Sequence, residues 1–140
     1  MPYSANYPAT VAEVLDDSMT FKPDALRAVR ELAAAKPWRM SADERLELFQ
    51  ATARKLAAAY GIGCPRVSRG TMDCYTPHSN RIWLTGKMSV VTFLHEFGHA
   101  RGFDERQTCG WSINLFRRCF PRSFARCRQV NHTLVNEGSR

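Results

Sequence analysis

The sequence lacks several features that would place the protein in a specialised class. No apolar run approaches the roughly 20 residues that a membrane-spanning helix needs, and there are no internal repeats or low-complexity tracts. The first fifteen residues carry Glu13 and no basic residue ahead of an apolar run, unlike a secretory signal. We therefore expect a cytoplasmic protein that has no membrane partner.

Cysteine is present, but not in the spacing of a cysteine scaffold. The chain has five cysteines, an odd count, and no C-x-x-C pair. A disulfide framework or a cysteine zinc cluster would need paired spacing, so we expect buried, reduced thiols. The cysteines are Cys64, Cys74, Cys109, Cys119 and Cys127.

Composition and charge indicate one soluble globular domain with a basic C-terminal region. The chain has 140 residues, of which 44% are apolar and 24% charged. Residues 101–140 hold 8 arginines against 3 acidic residues, so they contribute +5 of the net charge of +7. Arginine suits phosphate, which makes a nucleic-acid partner one expectation and a solvated helix face the alternative. The five of these arginines that would contact phosphate are Arg117, Arg118, Arg122, Arg126 and Arg128.

The segment His95-Glu96-Phe97-Gly98-His99 has the form H-E-x-x-H. On a helix, residues four apart lie on one face, so one zinc ion can accept both imidazoles at about 2.0–2.1 Å. Glu96 then lies beside the position of an activated water and can take its proton. The motif predicts a Zn²⁺ site with His95 and His99 as ligands and Glu96 as the catalytic base.

A catalytic zinc usually keeps three protein ligands and one open position. Glu105, ten residues after His95, occupies the slot of the third histidine in H-E-x-x-H-x-x-G-x-x-H metzincins, and Gly102 matches their glycine. No methionine follows Met88, so the Met-turn of a metzincin is absent. We expect Glu105 to be the third ligand. The alternatives that stay open are Asp104, His132 and His78.

The residues after Glu105 also resemble a known family. They are, in order, Thr108, Trp111-Ser112, Leu115-Phe116 and Pro121. Together with strand Arg81–Thr85 and the H-E-x-x-H helix, they resemble the core of ImmA/IrrE-type metallopeptidases over about residues 70–121. This resemblance implies a zinc endopeptidase that cleaves a regulatory protein, with Glu105 as ligand. A His132 ligand would instead resemble the SprT-like proteases, which act on DNA-associated proteins.

The periodicity predicts an α+β fold, a small zincin-like domain. A short antiparallel sheet of about three strands packs with four to five helices, and the H-E-x-x-H helix is central. Residues 1–20 are predicted to be an extended or flexible lead-in with a short helical turn around Val11–Leu15, and residues 21–140 a single metallopeptidase domain. That domain comprises a helical pair (21–62), a small sheet (63–87) and metal-binding and C-terminal helices (88–135).

Local signals define most element boundaries. A first helix should run from Pro23 to about Lys36, and a second should follow the Ser41–Glu44 capping box and end at Gly61. The predicted strands are Pro65–Ser68, Thr71–Tyr75 and Arg81–Thr85. The predicted helix signals after them are Ser89 as N-cap of the metal helix, Gly102 as its stop, Asp104 as the next N-cap, and Ser123 as the start of a last amphipathic helix.

These predictions combine into a zinc-dependent endopeptidase acting on a protein or peptide substrate. Glu96 would accept the proton of an attacking water and pass it to the leaving amine. A further donor should stabilise the oxyanion, and strand Arg81–Thr85 could pair an extended substrate along its edge. The candidate donors are Tyr75, His78, Arg101 and His132. The alternative function is a basic DNA-associated binding module with a mainly structural metal site.

Overall fold

The computed structural model describes residues 11–130 and 133–136. The α+β class is confirmed, with six helices in the described residues where four to five were predicted. The helices are α1 (Val11–Val14), α2 (Pro23–Ala34), α3 (Ala42–Tyr60), α4 (Val90–Ala100), α5 (Glu105–Cys119) and α6 (Pro121–Ala125). The strands are β1 (Arg66–Arg69), β2 (Cys74–Thr76), β3 (Arg81–Leu84), β4 (Cys127–Val130) and β5 (Thr133–Asn136). Within these ranges, no helix has the length and apolar character to cross a membrane.

The first two long helices follow their capping signals. Pro23 occupies the first turn of α2, as its fixed φ favours. At the start of α3, the Ser41 hydroxyl accepts from the Glu44 amide at 3.2 Å, and the Glu44 carboxylate accepts from the Ser41 amide at 2.9 Å. Gly61 ends α3 with a left-handed φ of 66°. These predictions are confirmed.

The three-stranded sheet is mixed, so the prediction of an antiparallel sheet was wrong for one of its two pairings. Its order is β1-β3-β2, with β2 antiparallel and β1 parallel to β3. The chain reverses after β1 and again through the short 3-10 turn Pro77–Ser79, so β3 returns in the direction of β1. Because β3 is paired on both sides, it has no edge for a substrate, which corrects the expectation for Arg81–Thr85.

The C-terminal region does not form the predicted amphipathic helix from Ser123. Pro121 starts the short helix α6 two residues earlier, because proline suits the first helical turn. After α6 the chain forms an antiparallel hairpin of β4 and β5. The β-branched residues Val130, Thr133 and Val135 favour strand, and pairing across the hairpin outweighed the helical spacing. The predicted division of residues 88–135 into helices alone is thus incorrect.

Helix α4 lies in the middle of the hydrophobic core, between the sheet and helix α5. Phe93, Leu94 and Phe97 on α4 are fully buried. The ring of Phe93 stacks on that of Phe49 in α3, with centroids 4.7 Å apart. Burial of these large side chains fixes the rotation of α4 about its axis. The face that carries the H-E-x-x-H histidines is fixed with it.

The cysteines differ from the prediction in their burial. All five are unpaired, in agreement with reduced thiols. Only Cys109 is buried, whereas Cys64 is exposed and the other three are half-buried. The spacing of the cysteines in the sequence was enough to predict that they are unpaired. The burial of each cysteine side chain depends on tertiary packing, which the spacing does not specify.

Candidate metal centre

The centre is built where helices α4 and α5 cross. A Cβ atom on Gly98 of α4 would lie 1.8 Å from the Thr108 hydroxyl oxygen of α5, so only glycine permits this approach. The same hydroxyl donates a 2.5 Å hydrogen bond to the carbonyl oxygen of His95. The crossing therefore fixes the start of α5 against the helical turn that carries both histidines.

The link between the two helices brings Glu105 to the histidines. Gly102 takes a φ of +93° after the end of α4, as its predicted role requires. Asp104 then caps α5, accepting from the Gln107 amide at 2.8 Å. The exposed Asp104 side chain is committed to this cap, so the alternative that Asp104 is the third ligand is not supported. Glu105 is the first residue of α5 and its side chain is buried.

The Glu105 carboxylate faces the same ring nitrogen of both histidines. Its Oε1 atom lies 3.3 Å from Nε2 of His95 and 3.0 Å from Nε2 of His99. Its Oε2 atom lies 3.2 Å from Nε2 of His95. Ligand atoms placed tetrahedrally at about 2.0–2.1 Å from one zinc ion are about 3.3 Å apart. Both distances from Glu105 to the histidines match this spacing, whereas the three-residue group of described ligand atoms that all lie within 4.8 Å of one another is His95, Glu105 and Cys109.

The second nitrogen of His99 fixes its tautomer. Nδ1 of His99 lies 3.0 Å from the carbonyl oxygen of Phe103. A carbonyl only accepts hydrogen bonds, so Nδ1 carries a hydrogen, and a metal bound to this ring would take the place of the hydrogen that Nε2 shares with Glu105. Metal-binding histidines commonly donate their second N–H to an outer group in this way.

The electrostatics of the centre favour an ionised Glu105. Burial alone would raise the pKa of Glu105, but hydrogen bonds with His95 and His99 outweigh burial and lower it to about 2. The same hydrogen bond raises the pKa of His99. A buried negative charge between two imidazoles is the arrangement that a divalent cation would stabilise.

Glu96 has the environment of a base and makes none of the ligand contacts. Its residue is 7% exposed, and burial raises the pKa of its carboxyl group against the opposing fields of His95 and His99. No described residue donates a hydrogen bond to this carboxylate. A desolvated, unshared carboxylate beside the two histidines can take a proton from a water molecule.

Cys109 is a neighbour of the centre that the sequence analysis did not identify. Ligand atoms of His95, Glu105 and Cys109 all lie within 4.8 Å of one another. Burial raises the pKa of the Cys109 thiol to about 12. We favour His99 over Cys109 as the remaining ligand because Nε2 of His99 lies 3.0 Å from Oε1 of Glu105, whereas Sγ of Cys109 lies 3.8 Å from Oε2 and faces Nδ1 of His95. The signal in the sequence was its position four residues after Glu105, on the same face of α5.

The other histidines and Tyr75 do not join this cluster in the described residues. His78 lies exposed in the 3-10 turn Pro77–Ser79 and has no hydrogen bond to the centre. His132 lies outside the described residues. The Tyr75 hydroxyl donates to Oδ1 of Asn80 at 2.7 Å, so its hydrogen is already used. Neither His78 nor Tyr75 is placed here as the oxyanion donor.

Arg101, one of the candidate oxyanion donors, lies among three aromatic rings. Its guanidinium carbon lies 3.6 Å from the ring centroid of Tyr60, 4.4 Å from that of Phe103 and 5.3 Å from that of Trp111. Burial lowers the pKa of Arg101. Because Phe103 also supplies the carbonyl that orients His99, these contacts hold the link between α4 and α5 in place.

Replacing Arg101 with alanine should destabilise the fold. Cation–π contacts contribute about 0.5–1 kcal/mol when exposed and about 2 kcal/mol when desolvated, so we expect Arg101→Ala to lower the free energy of unfolding by about 1–2 kcal/mol. Denaturant unfolding would measure this change. Arg106→Ala, at an exposed position on the next turn, should change it by less than about 0.5 kcal/mol. Equal effects of the two substitutions would contradict the aromatic enclosure.

Comparisons with protein-family models, curated proteins and solved structures found no match to this chain. The resemblance to ImmA/IrrE-type metallopeptidases therefore stays a prediction. The functional argument depends on the chain's own residues and their geometry.

Proposed function

We propose that the protein is a zinc-dependent endopeptidase. The observation that carries this proposal is the position of Glu105 Oε1, 3.3 Å and 3.0 Å from Nε2 of His95 and His99. Two imidazole nitrogens and one carboxylate oxygen are a donor set of catalytic zinc sites, in which one position stays open. A structural zinc site would instead be expected to have four protein ligands.

Zinc, when bound there, supplies a Lewis acid that makes a water molecule more acidic. His95, His99 and Glu105 would hold the ion, in the orientation that their outer contacts give them. Glu96 takes the proton from the attacking water and transfers it to the leaving amine. The burial that raises the pKa of Glu96 makes this carboxylate a stronger base, which suits both proton transfers.

The substrate would lie along strand β2. Among the described strands, β2 and β1 are the edges of the three-stranded sheet, and β3 is fully paired. Helix α4, which carries Glu96, packs against β2. Burial raises the pKa of the Cys74 thiol at the start of β2, and the Glu96 carboxylate raises it further. An extended peptide that pairs with β2 would pass close to Glu96.

The described residues give the nucleic-acid hypothesis less support. Arg117 forms a 2.6 Å ion pair with Asp17, and Arg118 donates to the carbonyl of Met19 at 3.2 Å. These two arginines thus bind the chain's own N-terminal part. Arg122 and Arg126 are exposed near α6. No contact of the described residues favours a nucleic-acid ligand over a solvated surface, so we do not propose one.

Glu105→Gln tests the zinc site with little change in shape. Replacing one charged ligand with a neutral amide should weaken zinc binding by about 100-fold, the upper end of the range for outer-shell partners. Competition with a chromophoric chelator would measure the affinity. Peptide hydrolysis by the wild type should require zinc, disappear with chelator and return when zinc is added back.

Asp104→Asn is the matched control for Glu105→Gln. Asparagine is as good an N-cap as aspartate, so α5 should keep its start and zinc affinity should not change. Equal zinc affinity of Glu105→Gln and wild type would exclude Glu105 as a ligand. A wild-type protein that binds zinc but cleaves no peptide would overturn the endopeptidase assignment.

A further inference from the structure

We propose that Cys109 is a positioning residue that bridges two zinc ligands, His95 and Glu105, through its thiol. This inference rests on the proposed zinc site, and it assigns a role to a residue that contacts the ligands without being one. It predicts that Glu105 binds the metal through Oε1, while Oε2 is held by the thiol.

The thiol lies between the two ligands. Sγ of Cys109 is 3.8 Å from Nδ1 of His95 and 3.8 Å from Oε2 of Glu105. Cys109 is 6% exposed and lies one turn after Glu105 on α5. Because the crossing of α4 and α5 is fixed at Gly98 and Thr108, the backbone that carries Cys109 is held next to the helical turn of His95.

The direction of the two hydrogen bonds follows from the groups involved. An ionised carboxylate can only accept, so the thiol donates its single hydrogen to Oε2 of Glu105. The sulfur then accepts from Nδ1–H of His95, so a metal bound to this ring would take Nε2, the nitrogen that faces Glu105. Cys109 thus does for His95 what the Phe103 carbonyl does for His99.

The competing role for Cys109 is a fourth metal ligand. A thiolate ligand would close the coordination sphere and make the site structural. The contacts argue against this role, because the sulfur contacts Nδ1 of His95 while Glu105 contacts Nε2. The two roles predict different spectra and different effects of substitution.

The test compares Cys109→Val with Cys109→Ser. Valine has a similar volume but no hydrogen-bonding group, whereas serine keeps both a donor and an acceptor. Loss of an outer-shell partner typically costs about 10–100-fold in metal affinity, so we expect the valine variant to bind Zn²⁺ at least about 10-fold more weakly. The serine variant should stay within about threefold of wild type, a much smaller loss than that range.

Two further measurements separate positioning from a general structural effect. Cys119→Val changes a half-buried cysteine near the end of the same helix and should leave Zn²⁺ affinity unchanged. Thermal unfolding of the metal-free proteins shows whether a variant folds. If Cys109→Val does not fold, Cys109→Ala replaces it in the affinity measurement. The Co²⁺-loaded wild type should lack the near-ultraviolet charge-transfer band of a thiolate ligand.

Each outcome decides between the proposals. A thiolate band in the Co²⁺ protein, or equal Zn²⁺ affinity of folded Cys109→Val and wild type, would overturn the positioning role while leaving a metal site in place. A wild-type protein that binds neither Zn²⁺ nor Co²⁺ would instead overturn the proposed function itself. We expect weak Zn²⁺ binding by Cys109→Val, near-normal Zn²⁺ binding by Cys109→Ser and no thiolate band in the Co²⁺ protein. This result would support both the positioning role and the proposed zinc site.

Discussion

Glu96→Gln is expected to bind zinc as tightly as the wild type and to hydrolyse peptides about 10²–10⁴ times more slowly, the range for loss of a general base. Glutamine has the size of glutamate but cannot accept a proton from water. No described residue donates a hydrogen bond to the Glu96 carboxylate, so the substitution should disturb few contacts. Steady-state hydrolysis of an unfolded protein substrate, measured at equal zinc occupancy, would give the ratio.

The matched control for Glu96→Gln is Glu47→Gln on the exposed face of α3. It removes the same charge from the chain and should leave both zinc content and hydrolysis unchanged. Wild-type hydrolysis by Glu96→Gln would exclude the proposed base. Loss of zinc from this variant would instead mean that Glu96 is a ligand.

Gly98→Ala is expected to lower the free energy of unfolding by about 3 kcal/mol, the upper end of the usual cost of overpacking. The added Cβ would lie 1.8 Å from the Thr108 hydroxyl oxygen and 2.7 Å from its Cβ, so the two helices must separate. Because this crossing holds Glu105 against the histidines, zinc affinity should fall as well. Denaturant unfolding and zinc competition measure the two effects.

Gly110→Ala is the control for Gly98→Ala. It adds the same methyl group to a buried helical glycine of α5, but the nearest atom is Cε of Met19 at 4.0 Å. Alanine in a helix is favoured over glycine by about 0.5–1 kcal/mol, so this variant should be more stable than wild type.

A rescue experiment would locate the strain. Thr108→Ala in the Gly98→Ala background removes the oxygen at 1.8 Å but keeps the Cβ at 2.7 Å, so it should restore only part of the stability. No rescue, together with equal effects of Gly98→Ala and Gly110→Ala, would contradict the close crossing.

The local features of this chain could be predicted from the sequence because their causes are local. The Ser41–Glu44 capping box, the Asp104 cap and the left-handed glycines each depend on a few neighbouring residues. The placement of His95 and His99 on one helical face follows from the helical period alone. The helical period alone does not predict the contact of Glu105 with the histidines, since this contact also depends on the turn at Gly102.

The features that were not predicted depend on contacts between distant segments. The parallel pairing of β1 with β3 joins strands that are separated by β2, and nothing local in either strand specifies it. The aromatic contacts of Arg101 were not predicted, because its neighbour Tyr60 lies on another helix. Cys109 was counted only as a buried thiol, since its partner His95 lies on α4.

The hydrogen-bond partners of the two Nδ1 atoms differ in whether a point mutation can remove them. Nδ1 of His99 is bound by the backbone carbonyl of Phe103, which every amino acid at that position would supply. Nδ1 of His95 is bound by the Cys109 side chain, which a single codon change can remove. In the proposed metal centre, a point mutation could therefore remove the outer partner of His95 but not that of His99. Variation at position 109 would then change metal affinity without replacing a proposed ligand.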